Sequence, residues 1–157
     1  MSCGTACAAN GTAGQVLFGG KQDNWFTYIT YNKGEGTNTT PKQYPIFASQ
    51  NISVGTLYVY DNGAHVFVQY CADAGLGVGI TSYHLEVVDE FSGFNRIRTR
   101  WHGIYGNPIP GRCEYSGSPS GMPACSGWIE SVNDNIGGYT DNDIYIFAHS
   151  IMCWLTE

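Results

Sequence analysis

The chain has 157 residues, of which 13% are charged, with 13 acidic against 7 basic side chains and a formal net charge of −6. That length suits one domain around a single core, and an acidic chain without a dense basic stripe excludes nucleic acid as a natural partner. The 21 Gly, 11 Tyr, 7 Phe and 4 Trp fit a turn-rich β fold better than a helical bundle or a disordered tail.

The first residues, MSCGTACAANG, have neither a basic n-region nor an apolar h-region, and no apolar run approaches the roughly 20 residues that span a bilayer, so membrane insertion is not expected. Six cysteines (Cys3, Cys7, Cys71, Cys113, Cys125 and Cys153) form no CxxC pair and show no Cys/His spacing suited to zinc. They read as disulfides, which places the chain in an oxidising compartment, secreted or at the cell surface. On that reading a leader has been removed and Met1 is an added start. The sequons at Asn10, Asn38 and Asn51 fit a secreted glycoprotein, although an Asn/Thr-rich chain produces such triplets by chance.

Strand-like runs follow at 15–18, 25–31, 43–48, 53–60, 64–71, 81–88, 127–132 and 143–154, separated by Gly, Asn, Asp and Pro turn signals. No run reads as a helix. The expected fold is all-β: a disulfide-bonded antiparallel sandwich, jelly-roll or Ig-like, spanning 1–157 with an irregular loop at 89–127.

Around Asn62-Gly63 the pattern is specific. A two-residue type I′ turn there would set Tyr60 opposite His65, Val59 opposite Val66, Tyr58 opposite Phe67 and Leu57 opposite Val68. The aliphatic parity, with Leu57, Val59, Val66, Val68, Leu85, Val87, Ile144 and Ile146, is the expected core. The opposite parity carries Tyr58, Tyr60, His65, Phe67, His84, Tyr145, Phe147 and His149 where a solvated sheet would carry charges. Such a face is expected to be covered, by the long loop, by a second copy or by a glycan.

Other candidates are weaker. His65, His84 and His149 share that parity and could ligate a metal, and Asp134, Asp141 and Asp143 could offer oxygens to calcium, but the spacing matches no metal motif and no metal is expected. Glu86, Asp89 and Glu90 are the nearest approach to a carboxylate pair. Trp25, Tyr28, Trp101, Tyr105 and Trp128 could form a sugar-stacking platform. No GxSxG, HExxH, phosphate-loop or dinucleotide motif occurs, so no cofactor is expected.

Several segments in this order, CGTACA, WFTYITYN, YPIFASQNISVGTLYV, SYHLEVV, GNPIPGR and DIYIFAHSIMC, resemble a family of secreted bacterial surface domains with a CxTAFA-like start and a closing IYIxAHAVVC-like strand. None of its motifs is catalytic, so the resemblance implies fold and export rather than mechanism. It also implies a Cys3–Cys153 bridge tying the first residues to the last strand. Family cysteines are replaced here by Val16 and Asn51, as if one bridge had been lost as a unit. For the remaining cysteines the expected bridges are Cys113–Cys125, close in sequence, and Cys7–Cys71.

Three functions follow as expectations. The first is a non-enzymatic structural or adhesive surface module, self-associating into a layer or filament. The second is a carbohydrate-binding module that uses the aromatic face (Tyr58, Tyr60, His65, Phe67, Tyr145 and Phe147, with Trp101) to hold a cell-surface glycan. The third is a secreted hydrolase.

Overall fold

The computed structural model describes residues 2–11, 18, 26–48, 52–73, 75 and 79–155. In chain order the strands are β1 (Ser2–Ala8), β2 (Ile29–Asn32), β3 (Lys42–Ala48), β4 (Ile52–Asp61), β5 (Val66–Ala72), β6 (Gly79–Val88), β7 (Arg98–Trp101), β8 (Ile104–Pro108), β9 (Tyr115–Gly117), β10 (Ile129–Glu130) and β11 (Asp143–Trp154). A 3-10 helix, Phe91–Ile97, follows β6. All strand pairs are antiparallel, and two disulfides close the fold, so it is a disulfide-bonded all-β protein.

Instead of two stacked layers, one nine-stranded sheet runs β10-β5-β4-β3-β1-β11-β6-β9, with β2 also paired to β11. The sheet curls so that β5 and β6 approach each other. The segment between β9 and β10 bridges the gap: Pro123 accepts from the Ile80 amide at 2.9 Å, Ala124 accepts from Ala72 at 2.7 Å, and the Ser126 amide donates to Tyr70 at 2.8 Å. Gly79 is required at this seam because a Cβ there would lie 2.0 Å from the Met122 carbonyl oxygen. A curled sheet buries one face against itself, and the all-β, disulfide-bonded antiparallel fold expected from the sequence is realised by one such sheet among the described residues.

The inner face holds the core. All eight aliphatic residues expected there are buried: Leu57, Val59, Val66, Val68, Leu85, Val87, Ile144 and Ile146. Tyr31, Tyr44, Tyr70, Ile46 and Met152 fill the remaining space. β5 alternates strictly between buried and half-buried, and β4 does so from Gly55 to Tyr60, as a sheet covered on one side should. β11 is buried continuously from Ile146 to Ser150, so its outer face must be covered as well.

The register of β4 and β5 differs from the expected one. Val59 pairs with Val68 and Tyr60 with Phe67, two residues away from the type I′ alignment. That turn needs positive φ at both central residues, and here only Gly63 has it (φ 88°). Asn62 instead turns its side-chain oxygen onto the amides of Ala64 (2.9 Å) and His65 (2.8 Å), and a turn over 62–65 results. Because the shift is an even number of residues, every side chain keeps its face.

The cysteine pairing is partly corrected. Cys3–Cys153 is formed, but the second bridge is Cys71–Cys125, and Cys7 and Cys113 are thiols. β3 and β4 stand between β1 and β5, so Cys7 and Cys71 are too far apart to bridge. Val16 and Asn51 lie outside the described residues. So does nearly all of the run expected at 15–18 and the start of the run at 25–31. The run at 127–132 contracts to β10, and the stretch 89–127 is more ordered than expected, holding the 3-10 helix, the β7–β8 hairpin and β9.

Candidate functional site

The outer face divides into a covered half and an open half. Over β1, β11 and β6 it is covered by the chain itself. Phe94 and Ile97 of the 3-10 helix join Phe18, Cys7, Val88 and Phe147 in a second buried cluster, with Phe26, Tyr28, Phe91, Cys113 and Tyr145 at its margin. Phe18 is its centre, with ring centroids 5.1 Å from Phe94, 5.2 Å from Tyr28 and 5.4 Å from Phe147. Arg98, only 6% exposed, pins this cover. Its guanidinium group donates to the carbonyls of Gly106 (2.7 Å), Phe18 (3.0 Å) and Tyr105 (3.0 Å), and it lies against the rings of Phe18, Phe91 and Tyr105.

Beneath the cover, Cys7, His149 and His84 face one another across three strands. His149 is 2% exposed and neither ring nitrogen has a hydrogen-bond partner among the described residues. Burial, and secondarily the neighbouring His84, holds its pKa down at about 4, while burial pushes the Cys7 thiol up to about 12. Phe147 and His149 are thereby removed from any contact surface, and Tyr145 is half-buried at the cover's margin.

On β4 and β5 the cover stops. Two cross-strand rows are half-open there, Gln43–Tyr58–Gln69 and Tyr60–Phe67–Glu130, each setting aromatic rings beside amide or carboxylate groups. The Tyr60 and Phe67 rings stack at 4.7 Å, and Trp128, 42% exposed, meets Tyr60 edge to face at 4.9 Å. His65, expected on a strand, sits in the turn, and its Nδ1 lies 2.6 Å from the Glu130 carboxylate. Trp101 belongs to the β7–β8 hairpin, away from these rows, and Tyr105 lies against Arg98 and Arg100, so the described members of the expected sugar platform are dispersed. Trp25 lies outside the described residues. Among the described members of that set, Trp128 joins the strip.

A second feature is an open cleft of about 530 Å³ at the end of β6, under the 3-10 helix. It gathers Glu86, Asp89 and Glu90, flagged in the sequence, with Arg96, Glu114 and Asp134. Glu86 is 1% exposed, pairs with Arg96 and accepts the Glu114 amide at 2.8 Å; burial holds its carboxyl above the usual range, against the pull of those donors. Glu114 is raised too, by desolvation first and then by its hydrogen bond to Asp134 and that group's charge. Asp134 accepts the Tyr115 hydroxyl at 2.5 Å. Topology alone brings Glu114 and Asp134 together, so no local pattern marks the pair.

The metal candidates do not converge. His84 and His149 adjoin but His65 does not; Asp143 accepts from Asn32, and Asp141 is exposed. Among the described residues no group of three or more His, Cys, Asp or Glu side chains is placed to hold a metal ion, and no helix is long and apolar enough to cross a membrane. Comparison with protein-family models, with curated proteins and with solved structures finds no match to this chain.

Proposed function

We propose that the chain is an extracellular adhesive module, without catalytic activity of its own, that holds carbohydrate on the outer strip of β4 and β5. The observation that supports this is the end of the cover. The chain buries its aromatic face over β1, β11 and β6, yet leaves Tyr58, Tyr60, Phe67 and Trp128 half-open beside Gln43, Gln69 and Glu130. Rings offer a rigid stacking surface for a pyranose, and the flanking amides and carboxylate suit its hydroxyls. Two disulfides in a small β fold agree with an oxidising, extracellular setting. A glycan array probed with the purified chain and with Trp128→Ala tests the reading. Signal that the variant loses supports it. No glycan signal, together with concentration-dependent sedimentation, would favour self-association through the same strip.

The cleft favours a second reading, hydrolysis of the held polysaccharide, because Glu114 and Glu86 are carboxyls held above their usual range in one open groove. Turnover of a polysaccharide panel that is abolished by Glu114→Gln would support it; no turnover by the unsubstituted chain would end it.

A further inference from the structure

The chain holds three Asn-Xaa-Ser/Thr triplets, at Asn10, Asn38 and Asn51, and as sequence they are equivalent. The fold makes two of them unlike. At Asn10 the side-chain amide is fully engaged: its Nδ2 donates to the Thr30 carbonyl at 3.0 Å and its Oδ1 accepts from the Thr30 amide at 2.9 Å. This reciprocal pair fastens the end of β1 to β2, and a substituent on Nδ2 would break it. Asn38 lies in the exposed turn between β2 and β3. That turn is closed without its help: the Thr37 amide donates to Thr40 at 3.1 Å, the Thr40 amide donates to the Thr37 carbonyl at 3.2 Å, and Thr37 Oγ1 accepts the same Thr40 amide at 3.1 Å. Asn38 and Thr40 are both exposed, and neither the Asn38 amide group nor the Thr40 hydroxyl makes a hydrogen bond among the described residues. Asn51 lies outside the described residues.

We infer that Asn38 is a glycan-acceptor site of the protein, taking an oligosaccharide from a lipid-linked pyrophosphate donor, and that Asn10 is not. In the transfer, Asn38 Nδ2 bonds to the anomeric carbon of the donor. The bond from that carbon to the pyrophosphate oxygen breaks, the lipid pyrophosphate leaves with the electron pair, and the amide gives up one proton. Thr40 supplies the free hydroxyl that the triplet requires. A glycan at Asn38 adds polar bulk to an exposed turn without displacing any bond of the fold. The inference rests on the extracellular reading, since only an exported chain meets such a donor.

The test directs the full chain through a eukaryotic secretory pathway and maps its peptides by mass spectrometry, before and after treatment with a peptide N-glycosidase. The expected result is an oligosaccharide on Asn38, lost in both Asn38→Gln and Thr40→Ala, with Asn10 unmodified. Thr40→Ala leaves Asn38 in place, so loss there reports the triplet rather than a missing residue. An unmodified Asn38 in the secreted chain overturns the inference, and so does an oligosaccharide on Asn10. Mapping of the Cys3–Cys153 and Cys71–Cys125 bridges in the same sample tests the extracellular reading by itself: open bridges contradict that reading whatever position 38 carries.

Discussion

The Tyr70 hydroxyl on β5 donates to the His84 carbonyl on β6 at 3.0 Å, although four strands separate β5 from β6 in the sheet order. The Tyr70 ring also stacks on Tyr83 at 5.6 Å. This contact across the seam is what a curl that closes on itself requires. Tyr70→Phe keeps the ring and removes the bond, and is expected to cost about 1 kcal/mol in urea unfolding, whereas Tyr70→Ala, which empties the site, is expected to cost about 3–5 kcal/mol. Equal effects of the two variants would contradict the seam.

His149 gives the fold a pH dependence with a definite sign. Its pKa falls from 6.5 in the unfolded chain to about 4 in the fold, so between those values the unfolded state binds the extra proton. Stability from this residue is complete above about pH 6.5 and is lost as pH falls toward 4, a change of about 3 kcal/mol. Glu86 and Glu114, whose carboxyls are raised, act in the opposite direction over the acid end of the range. The difference in unfolding free energy between the unsubstituted chain and His149→Phe, followed from pH 7 to pH 4, isolates the histidine. A difference that does not change with pH would contradict the burial of a neutral imidazole beside His84.

Arg98 holds the cover by donating to three carbonyls rather than to a carboxylate. Arg98→Met retains much of the apolar stem but leaves those oxygens without the donor, and about 3 kcal/mol of stability is expected to be lost. Arg98→Lys is expected to rescue little, because a point ammonium cannot reproduce the planar fork. Chemical denaturation of both variants checks this, and full rescue by lysine would contradict the geometry.

Cys7 and Cys113 are expected to titrate as two thiols in denaturant and to react slowly in the native protein, because burial holds both in the protonated form. Opening Cys71–Cys125, which spans 54 residues, by a double Cys→Ser substitution is expected to cost about 4 kcal/mol in the chain-entropy view. Thiol titration and non-reducing peptide maps measure both points.

The core was legible because period-two alternation is a local signal, and Leu57, Val59, Val66 and Val68 carry it without interruption. The even register shift at 62–65 left those faces intact, so the error in the turn did not reach the core. The cover was not read, although Phe91, Phe94 and Ile97 recur every third residue, the period of a 3-10 helix. A run of seven residues with Gly93 inside it is too short for that spacing to stand out against loop. Arg98, the Cys71–Cys125 bridge and the Glu114–Asp134 pair depend on which distant segments the curl brings together, and no local pattern encodes that. The face of Tyr58, Tyr60, Phe67, Tyr145 and Phe147 was legible as one parity. Its division into covered and open halves depends on where the 3-10 helix lands.

The open strip on β4 and β5 is proposed as the adhesive surface. Its most direct test compares the unsubstituted chain with the Tyr58→Ser, Phe67→Ser double variant for retention on a panel of immobilised polysaccharides, with thermal unfolding recorded for both. Both residues are half-exposed, so the variant is expected to fold, losing about 1–2 kcal/mol. The account predicts that the unsubstituted chain is retained by at least one polysaccharide and that the folded variant binds it at least about tenfold more weakly, equivalent to about 1.4 kcal/mol. A folded variant retained as strongly as the unsubstituted chain, or an unsubstituted chain retained by none of the panel, would contradict it.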